Sequence, residues 1–470
     1  MYVKEKSNRQ LTQVDLSYIT VLAFTFLIGG AAVFSILSEQ EYVMGIIEDD
    51  ILILYENMSL GLAPLTALLL SWRLVMAWKY RAVPPVDNAT LPMVTIIIPA
   101  YNEGRQVLLT LRSVMASNYP PAKMHVLCID DGSQDDTWTW MRLAATEFPT
   151  RIQLIRQPSN TGKRHALLAG FAQARGSVFV TLDSDSEILP DTLRHLVSPI
   201  ATDPKVGAVA GNVRVLNVGH GLIPKMLDLS FTMSFDFQRR GQSVYGGVLC
   251  TPGALSAYRI SAVAPSLPAW AEQTFLGRAA NIGEDRALSN IVLRQGYRVV
   301  YQNEAVVLTE VPVAYQGLCR MMLRWARSNV RECLVMAQFI GRRFRKHDSG
   351  MHWLRLAGTM ELLFLPLTEA MKAGLLITLL LHPTTTLMLL AASCALSAIL
   401  PALVYNHLRR AGLRSPFLAV SYALFWVFCL SWISCWGLLS AGCSGWLTRK
   451  LAGAPSHEPS LGVLHHPKEA

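Results

Sequence analysis

The segment Val94-Thr-Ile-Ile-Ile-Pro-Ala-Tyr-Asn-Glu103 opens the part of the chain that decides the fold. A short, apolar, β-branched run that ends in a polar turn predicts a buried strand. Residues 126–129 and 178–182 have the same character, and helical patterns at residues 105–116 and 163–174 lie between these runs. Strands that alternate with helices predict an α/β fold whose sheet is mostly parallel and covered by helices.

The composition adds a membrane part to this domain. Of the 470 residues, 51% are hydrophobic and only 16% are charged, whereas soluble proteins carry about 25% charged residues. This argues against an ordinary cytosolic enzyme, while 42 basic and 33 acidic residues are too many for a bundle of membrane helices alone. The eight cysteines form no CxxC pair, so we expect neither a disulfide framework nor a zinc site.

Two apolar runs precede the α/β part, at residues 16–38 and 57–78, and each is long enough to span a bilayer. The first resembles a signal peptide in position, but its length and the absence of a clear cleavage site favour a retained anchor. The loop between the two runs is acidic, and Lys and Arg lie on the outer flanks. The positive-inside rule therefore predicts cytosolic flanks and a cytosolic α/β domain.

Further apolar runs follow the α/β part at residues 356–381, 384–405 and 417–440. Before them, Arg320, Arg324, Arg327 and Arg331 recur at helical spacing, which predicts an amphipathic helix on the membrane surface. A solvated charged face is the alternative. The predicted domains are two transmembrane helices (1–83), a cytosolic domain (84–316), interface helices (317–350), about three transmembrane or re-entrant helices (351–450) and a flexible tail (451–470).

Acidic residues follow the predicted strands. Asp130 and Asp131 end one strand in a Gly-Ser turn, and alone this is a common turn. Asp183 and Asp185 follow the next strand, where two carboxylates at i and i+2 can reach one hard cation, Mg²⁺ or Mn²⁺. An Asp-x-Asp turn is weak evidence by itself. It gains weight here because acidic groups at the carboxyl ends of several strands share one edge of the sheet.

Two later motifs complete the pattern. Gly283-Glu284-Asp285-Arg286 precedes a helical pattern, where Asp285 either caps the helix or acts as a general base. Leu323-Arg324-Trp325 lies on the basic helix and offers a planar cation for phosphate beside an aromatic surface.

These motifs, together with Asn160-x-Gly162-Lys163-Arg164, occur in the order and spacing of processive family 2 glycosyltransferases. The chain resembles these membrane synthases of hyaluronan, chitin oligosaccharide, poly-N-acetylglucosamine and cellulose over about residues 92–340. The stretches Gln273-x-Phe-Leu-Gly277 and Leu323-Arg-Trp-Ala-Arg-Ser328 are most similar to the hyaluronan synthase and NodC-type branch. The resemblance implies a GT-A-like cytosolic domain that uses a UDP-sugar and Mg²⁺ or Mn²⁺.

The resemblance also implies a role for each matching residue. The uridine end of the donor would contact Asp130 and Asp131, with Tyr101 and Glu103 nearby, and its diphosphate would meet Lys163, Arg164 and Arg324. The metal would bind Asp183 and Asp185, with Asp185 as the direct ligand. The catalytic base would be Asp285, between Glu284 and Arg286. The acceptor sugar would pack on Trp325 and contact the segment that contains Cys250 and Gly253.

The chain departs from the family pattern in three motifs. Met321 stands where Gln is usual before Arg324-Trp325, and Thr251-Pro252 alters the acceptor segment. Trp446-Leu-Thr-Arg449 is similar to the Trp-Gly-Thr-Arg gating motif, with Leu447 in place of Gly. Three full C-terminal crossings would place this last motif outside the cell. Therefore either one apolar run is re-entrant or interfacial, or the match is accidental.

The run at residues 356–381 contains Glu361, Glu369 and Lys372, and intramembrane charges usually face protein or water. A polar channel for an emerging glycan and a Glu369–Lys372 ion pair between helices are both compatible with this pattern.

The predicted function is processive, inverting transfer from a UDP-sugar to a growing extracellular polysaccharide by a multi-pass protein of the plasma (inner) membrane. UDP-GlcNAc is the preferred donor from the resemblance, and alternation with UDP-GlcA stays open. The alternatives are a non-processive transferase that acts on a lipid phosphate or lipid-linked acceptor, and a catalytically silent nucleotide receptor. We expect the partners to be the donor, the glycan and the lipid bilayer. We expect no nucleic acid, because the basic helix has no interleaved aromatic residues beyond Trp325 and Phe339 and the chain has no recognisable nucleic-acid module.

Overall fold

The computed structural model of the chain describes residues 50–342, 344–345, 350–410, 412 and 415–443. Its strands are β1 (Val94–Ala100), β2 (Met124–Asp130), β3 (Ile152–Arg156), β4 (Val178–Leu182), β5 (Ser186–Ile188), β6 (Val206–Val215), β7 (Leu255–Arg259), β8 (Thr274–Phe275), β9 (Arg278–Ala279) and β10 (Arg298–Thr309).

The helices are α1 (Asp50–Lys79), α2 (Gln106–Met115), α3 (Thr137–Glu147), α4 (Lys163–Ala172), α5 (Thr192–Thr202), α6 (Leu222–Phe231), α7 (Gln238–Val244), α8 (Ile260–Val263), α9 (Leu267–Ala271), α10 (Glu284–Arg294), α11 (Tyr315–Ile340), α12 (Gly350–Leu381), α13 (Pro383–Arg409), α14 (Ser415–Phe425) and α15 (Trp432–Leu439). Two π-helical segments, Thr232–Phe237 and Trp426–Leu430, join α6 to α7 and extend α14.

Eight strands form one mixed sheet in the order β3-β2-β1-β4-β7-β6-β10-β5. Strands β3, β2, β1 and β4 are parallel, as are β6 and β10, whereas β7 runs antiparallel to β4 and β6 and β5 runs antiparallel to β10. The prediction of an α/β fold with a mostly parallel sheet is confirmed. The antiparallel β7 was not predicted.

The two faces of the sheet explain the apolar strands. All seven residues of β1 are buried, because helices cover both sides. Ile96 and Ile98 join a core with α2, α3 and α5, while Ile97 joins a second core with α4, α10 and α11. The predicted helical patterns at residues 105–116 and 163–174 correspond to α2 and α4.

The helices after the domain include membrane candidates. Among the described residues, α12 and α13 are long and apolar enough to cross a membrane. The helices α14 and α15 meet at a 43° bend and would form a third span if the pair counts as one helix. Large apolar side chains lie on their surface, for example Leu380 at 83% exposure, as lipid-facing helices require. The predicted run at residues 57–78 lies within α1, and the run at residues 16–38 lies outside the described residues.

The bent pair α14–α15 touches the α/β domain at both ends. Near its start, the Tyr422 hydroxyl donates to Ser230 Oγ on α6 (3.0 Å). Beyond its end, the carbonyl of Ala441 accepts a hydrogen bond from Arg331 on α11 (3.0 Å). A full crossing would separate these ends by the thickness of a bilayer, so the contacts favour the re-entrant or interfacial alternative.

We expect Gly170→Ala to destabilise the domain. A Cβ at Gly170 on α4 would overlap Ile97 Cγ2 and lie 3.3 Å from Ile129 Cδ1, both in the core. Overpacking costs about 1–3 kcal/mol, more than the roughly 1 kcal/mol by which Ala favours a helix. Thermal unfolding in detergent should show a lower Tm.

The matched control is Gly219→Ala, because a Cβ at Gly219 meets nothing within 4 Å. Equal Tm values for the two variants would contradict this packing of α4 on the sheet.

Candidate active site

The candidate site lies at the carboxyl end of the parallel strands, where ligands bind in open α/β sheets. Asp130 ends β2, and Asp183 and Asp185 follow β4. Lys163 and Glu284 are the first residues of α4 and α10. The topology therefore brings together groups from Asp130 to Glu284, which are 154 positions apart in the chain.

The Lys163 ammonium group is at the centre of this cluster. It forms an ion pair with Asp183 Oδ1 and lies 3.2 Å from Glu284 Oε1. Burial alone would lower the pKa of Lys163, but the Asp183 and Glu284 carboxylates raise it above its usual value. In turn, burial would raise the pKa of Glu284, but Lys163 holds it below its usual value. Both groups are therefore charged at neutral pH.

Gly253 provides the space in which these groups converge. A Cβ at this position would lie 2.8 Å from Lys163 Nζ and 3.8 Å from Oδ2 of both Asp183 and Asp285. Its backbone N–H donates to Asp285 Oδ2 (3.2 Å). The two carboxylates thus face one small volume, Asp183 from the end of β4 and Asp285 from the first turn of α10, and the absence of a side chain at Gly253 leaves that volume open.

The environment of Asp285 makes its carboxylate a stronger base than an ordinary aspartate. Burial and the adjacent Glu284 raise the pKa of Asp285. Cys250 Sγ lies 3.7 Å from Asp285 Oδ2, and burial raises the pKa of this thiol to about 12, so it is a neutral donor to the carboxylate. The segment around Cys250 is held by Thr251, whose hydroxyl contacts Tyr258 (2.7 Å) and Ser289 (2.9 Å).

The predicted uridine-side acids are engaged by the protein itself. Asp131 accepts hydrogen bonds from the backbone N–H of Thr161 (2.9 Å) and Gly162 (2.8 Å) and so shapes the turn before Lys163. Asp130 accepts from the Ser133 N–H (2.9 Å) and lies 3.2 Å from Arg156 Nε. These contacts give both residues a role in building the two turns.

Tyr101 and Glu103 directly follow β1, beside the turn that contains Ser133. The N–H of Glu103 donates to Thr137 Oγ1 (2.8 Å), and the N–H of Asn102 donates to Ser133 Oγ (3.0 Å). The structure therefore brings Tyr101 and Glu103 to the same edge of the sheet as Asp130.

Arg164 differs from its predicted place beside the diphosphate. Its guanidinium is buried, stacks 5.0 Å from the Trp270 ring and donates to the Trp270 carbonyl (2.5 Å) and Gln273 Oε1 (3.0 Å). Since α4 turns successive side chains by about 100°, Lys163 faces the carboxylates and Arg164 faces α9. Arg164 is thus a packing residue under the site in this structure.

The predicted surface helix is α11, but its arginines do not share one environment. Arg320 is exposed and Arg324 is half-buried, within electrostatic reach of Glu284. Arg327 and Arg331 are buried, where they donate to Ser440 Oγ (2.9 Å) and to the carbonyls of Ala441 and Ile282. Because these two bind the end of α15, they are not available to lipid headgroups.

Trp325 remains 37% exposed at the site. Its ring packs against Phe231 (5.9 Å between centroids) and, edge-on, against Phe235 (6.3 Å). An aromatic face that is partly open to solvent beside polar groups is suited to packing against a sugar ring.

Two acids of the site region, the buried Glu332 and the partly buried Glu361, were not placed there by the sequence. Glu332 on α11 accepts hydrogen bonds from Gln273 Nε2 and Asn290 Nδ2 (both 2.9 Å), which joins α11 to α10 and to the β8–β9 hairpin. Glu361 on α12 pairs with Arg286 (2.7 Å). Their partners lie tens of residues away, so no local spacing could have shown either contact.

Within the described ranges, no group of three or more His, Cys, Asp or Glu side chains could hold a metal ion. Asp183 and Asp185 supply hard oxygen donors of the kind that suit Mg²⁺ or Mn²⁺. The pair fits a metal whose other ligands come from a diphosphate and water.

The sequence profile described as "Glycosyltransferase like family 2" matches residues 92–328, half of the chain. The chain belongs to glycosyltransferase family 2. This confirms the family resemblance of the motifs. The match covers the whole α/β domain and the first half of α11, so the glycosyltransferase unit includes Arg324 and Trp325.

Named relatives of this glycosyltransferase come from bacteria. An N-acetylglucosaminyltransferase of Rhizobium meliloti is 34% identical over 54% of this chain and 59% of its own length. A hyaluronan synthase of Streptococcus pyogenes is 33% identical over 53% of this chain and 59% of its own length. An N-acetylglucosaminyltransferase of Bradyrhizobium diazoefficiens is 29% identical over 81% and 76%. The glycosyltransferase thus spans about three fifths of the first two relatives.

A solved structure shares the fold. The mannosyltransferase PcManGT from Pyrobaculum calidifontis, in complex with GDP-Man and Mn²⁺, superposes with a TM-score of 0.53 at 23% identity, covering 78% of this chain and 97% of that one. This likeness supports the GT-A-like assignment of the glycosyltransferase domain.

The gating-type motif Trp446-Leu-Thr-Arg449 lies outside the described residues. The described chain ends at Cys443, just after Gly442, where an added Cβ would lie 3.4 Å from Leu276 Cδ1 of the β8–β9 hairpin.

We expect Arg331→Ala to destabilise the glycosyltransferase. It would leave the buried carbonyls of Ala441 and Ile282 without their donor and remove a guanidinium that stacks on Phe275 (5.4 Å). An unsatisfied buried acceptor costs about 1–3 kcal/mol, so Tm in detergent should fall by several degrees.

Arg320→Ala on the exposed side of the same helix is the matched control and should leave Tm unchanged. If instead both variants kept wild-type stability and lost binding to anionic vesicles equally, the result would contradict the burial of Arg331 and would indicate that the arginines of α11 face lipid.

Proposed function

We propose that this family 2 glycosyltransferase transfers a sugar from a UDP-sugar to the growing end of a polysaccharide, processively and with inversion at the anomeric carbon. The observation that carries the proposal is the convergence of Lys163, Asp183 and Asp285 on Gly253. Lys163 and Asp183 would form the side that binds the donor diphosphate, and Asp285 would supply a base on the other side. Transfer between two substrates requires that both be held next to each other in this way.

The donor side would consist of Lys163, Asp183 and Asp185. Asp183 and Asp185 would hold Mg²⁺ or Mn²⁺, which when bound supplies charge neutralisation at the diphosphate leaving group. The Lys163 ammonium, now paired with Asp183, lies where it would contact phosphate oxygen as well. Arg324 on α11 would add a second cation from the opposite side.

The acceptor side would be arranged around Asp285. Its Oδ2 faces the free volume beside Gly253, so it would accept the proton of an acceptor hydroxyl placed there. The acceptor oxygen then forms a bond to the anomeric carbon while the bond from that carbon to the phosphate oxygen breaks, and UDP leaves with the electron pair. A single in-line displacement inverts the anomeric configuration. Trp325 would pack under the acceptor sugar.

The membrane part would carry the product away. Helices α12 and α13 would cross the bilayer. The part of α1 that contains the predicted apolar run at residues 57–78 would cross it as well. With the α/β domain in the cytosol, this gives a multi-pass protein of the plasma (inner) membrane. Names of the relatives, N-acetylglucosaminyltransferase and hyaluronan synthase, support UDP-GlcNAc as a donor, used alone or in alternation with UDP-GlcA.

The proposal is tested with the full chain in detergent or lipid nanodiscs, Mn²⁺ and a panel of radiolabelled UDP-sugars. We expect high-molecular-weight product from UDP-GlcNAc alone or only from UDP-GlcNAc and UDP-GlcA together. Label that stays in a short, lipid-extractable product would favour the lipid-acceptor alternative. No incorporation from any donor, with folded protein that binds UDP, would contradict the proposal.

Asp285→Asn should lower the rate of sugar transfer by about 10²- to 10⁴-fold, because the amide cannot accept the proton of the acceptor hydroxyl. Binding of UDP should stay close to wild type, since Asp285 faces the acceptor. Both are measured on the same preparation, by product formation and by titration with UDP.

Glu310→Gln, an exposed acid beyond β10, is the control and should keep full activity. Asp285→Asn with wild-type turnover would assign the base to another group.

A further inference from the structure

Arg286 links the proposed base to the membrane helices. Its backbone N–H donates to Asp285 Oδ1 (2.7 Å), while its guanidinium points away from the site. There it contacts Asn329 Oδ1 and Cys333 Sγ (3.2 Å) on α11 and Glu361 Oε2 (2.7 Å) on α12. One residue therefore touches the base with its main chain and two helices with its side chain.

Glu361 is the charged partner in this set. It lies in α12, and its carboxylate also lines a cavity with Trp72 and Arg73 of α1 and Tyr245 beyond α7. Burial alone would lower the pKa of Arg286, but Glu361 raises it above its usual value, which keeps the guanidinium charged. The pair is largely shielded from water, with 11% of the Arg286 side chain and 25% of the Glu361 side chain exposed.

The position of Asp285 depends on the rotation of the first turn of α10. Gly283 precedes this turn with φ of +81°, and an added Cβ there would overlap Ser328 on α11, so the turn abuts α11 closely. Asp285 and Arg286 are adjacent in this turn, and the Arg286 N–H donates to Asp285 Oδ1, so a rotation of the turn moves both side chains. A misplacement of about 1 Å at a reacting group can cost about 10² in rate.

We propose that Glu361 is a positioning residue for Asp285, which it holds toward the acceptor through its ion pair with Arg286. This inference rests on the proposed function. It makes the orientation of the base depend on a helix that is proposed to cross the bilayer, so the site is correctly built only when α12 is docked on the domain.

The alternative is an ion pair that only fastens α12 to the domain. Such a pair would affect the stability of the protein, and any loss of activity would follow the loss of folded protein. A positioning role instead predicts a selective fall in kcat, with donor binding retained, and a local change in α10.

The test compares Glu361→Gln with Glu361→Asp and with Glu369→Gln, all in the full chain in nanodiscs. Gln keeps the size of Glu but removes the charge that holds Arg286, and Asp restores the charge on a shorter side chain. Glu369 is the matched control, because it forms an ion pair on the same helix with Lys372 (2.8 Å), away from α10.

For Glu361→Gln we expect a fall in kcat of about 10- to 100-fold, a KM for the UDP-sugar within about twofold of wild type, and unchanged UDP binding. Glu361→Asp should recover part of the loss. Hydrogen exchange of residues 284–288 should be faster in Glu361→Gln than in wild type or Glu369→Gln.

The inference is overturned if Glu361→Gln transfers at the wild-type rate while the wild type is active. It is also overturned if kcat, KM and Tm all change together, or if Glu369→Gln loses as much kcat. Failure of the proposed function has a different signature, since the wild type itself would then transfer no sugar from any donor, and the inference would fall with it.

Discussion

Three acids crowd the candidate site, and the buried Lys163 ammonium makes their proximity possible. Asp183, Glu284 and Asp285 come from the end of β4 and the start of α10, and all three contribute to the pKa of Lys163. Without a cation, carboxylates this close in a desolvated space would repel each other or take up protons. The positive charge of Lys163 offsets that repulsion. Lys163 is the first residue of α4, and Asp131 holds the turn before it by accepting a hydrogen bond from the Gly162 N–H.

Helix α11 connects this charge cluster to the membrane helices. Along its length it packs Trp325 against Phe231 and Phe235 and presents Asn329 and Cys333 to Arg286 and Arg331 to the end of α15. An amphipathic helix on a lipid surface would keep its arginines in the headgroup region. In this protein half of the arginine row has become internal, because α15 packs along α11 and its terminal carbonyls need donors.

The sequence predicted β1, β2, β4, α2, α4, the strand-end acids and the family correctly, because these depend on local periodicity and on turns whose residue types are restrictive. It did not predict the antiparallel β7, since Leu255–Arg259 has no feature that reports strand direction. The family resemblance implied that Arg164 meets the diphosphate together with Lys163, although helix geometry sends adjacent side chains to different neighbours. Glu361 was recognised as an unusual charge, but its partner Arg286 could be identified only from the packing of α12.

The same packing joins the catalytic domain to the candidate membrane helices. Leu430 and Ile433 of the last apolar segment belong to the core that covers one face of the sheet, and Leu354 of α12 belongs to the core on the other face. If either were removed, the sheet would expose apolar surface, and without the last apolar segment α11 would also lose partners of its buried arginines, Ser440 and Ala441. The geometry of the carboxylates is therefore set partly by helices that carry none of them, which explains why motifs confined to residues 92–328 describe the chemistry of the site but not its construction.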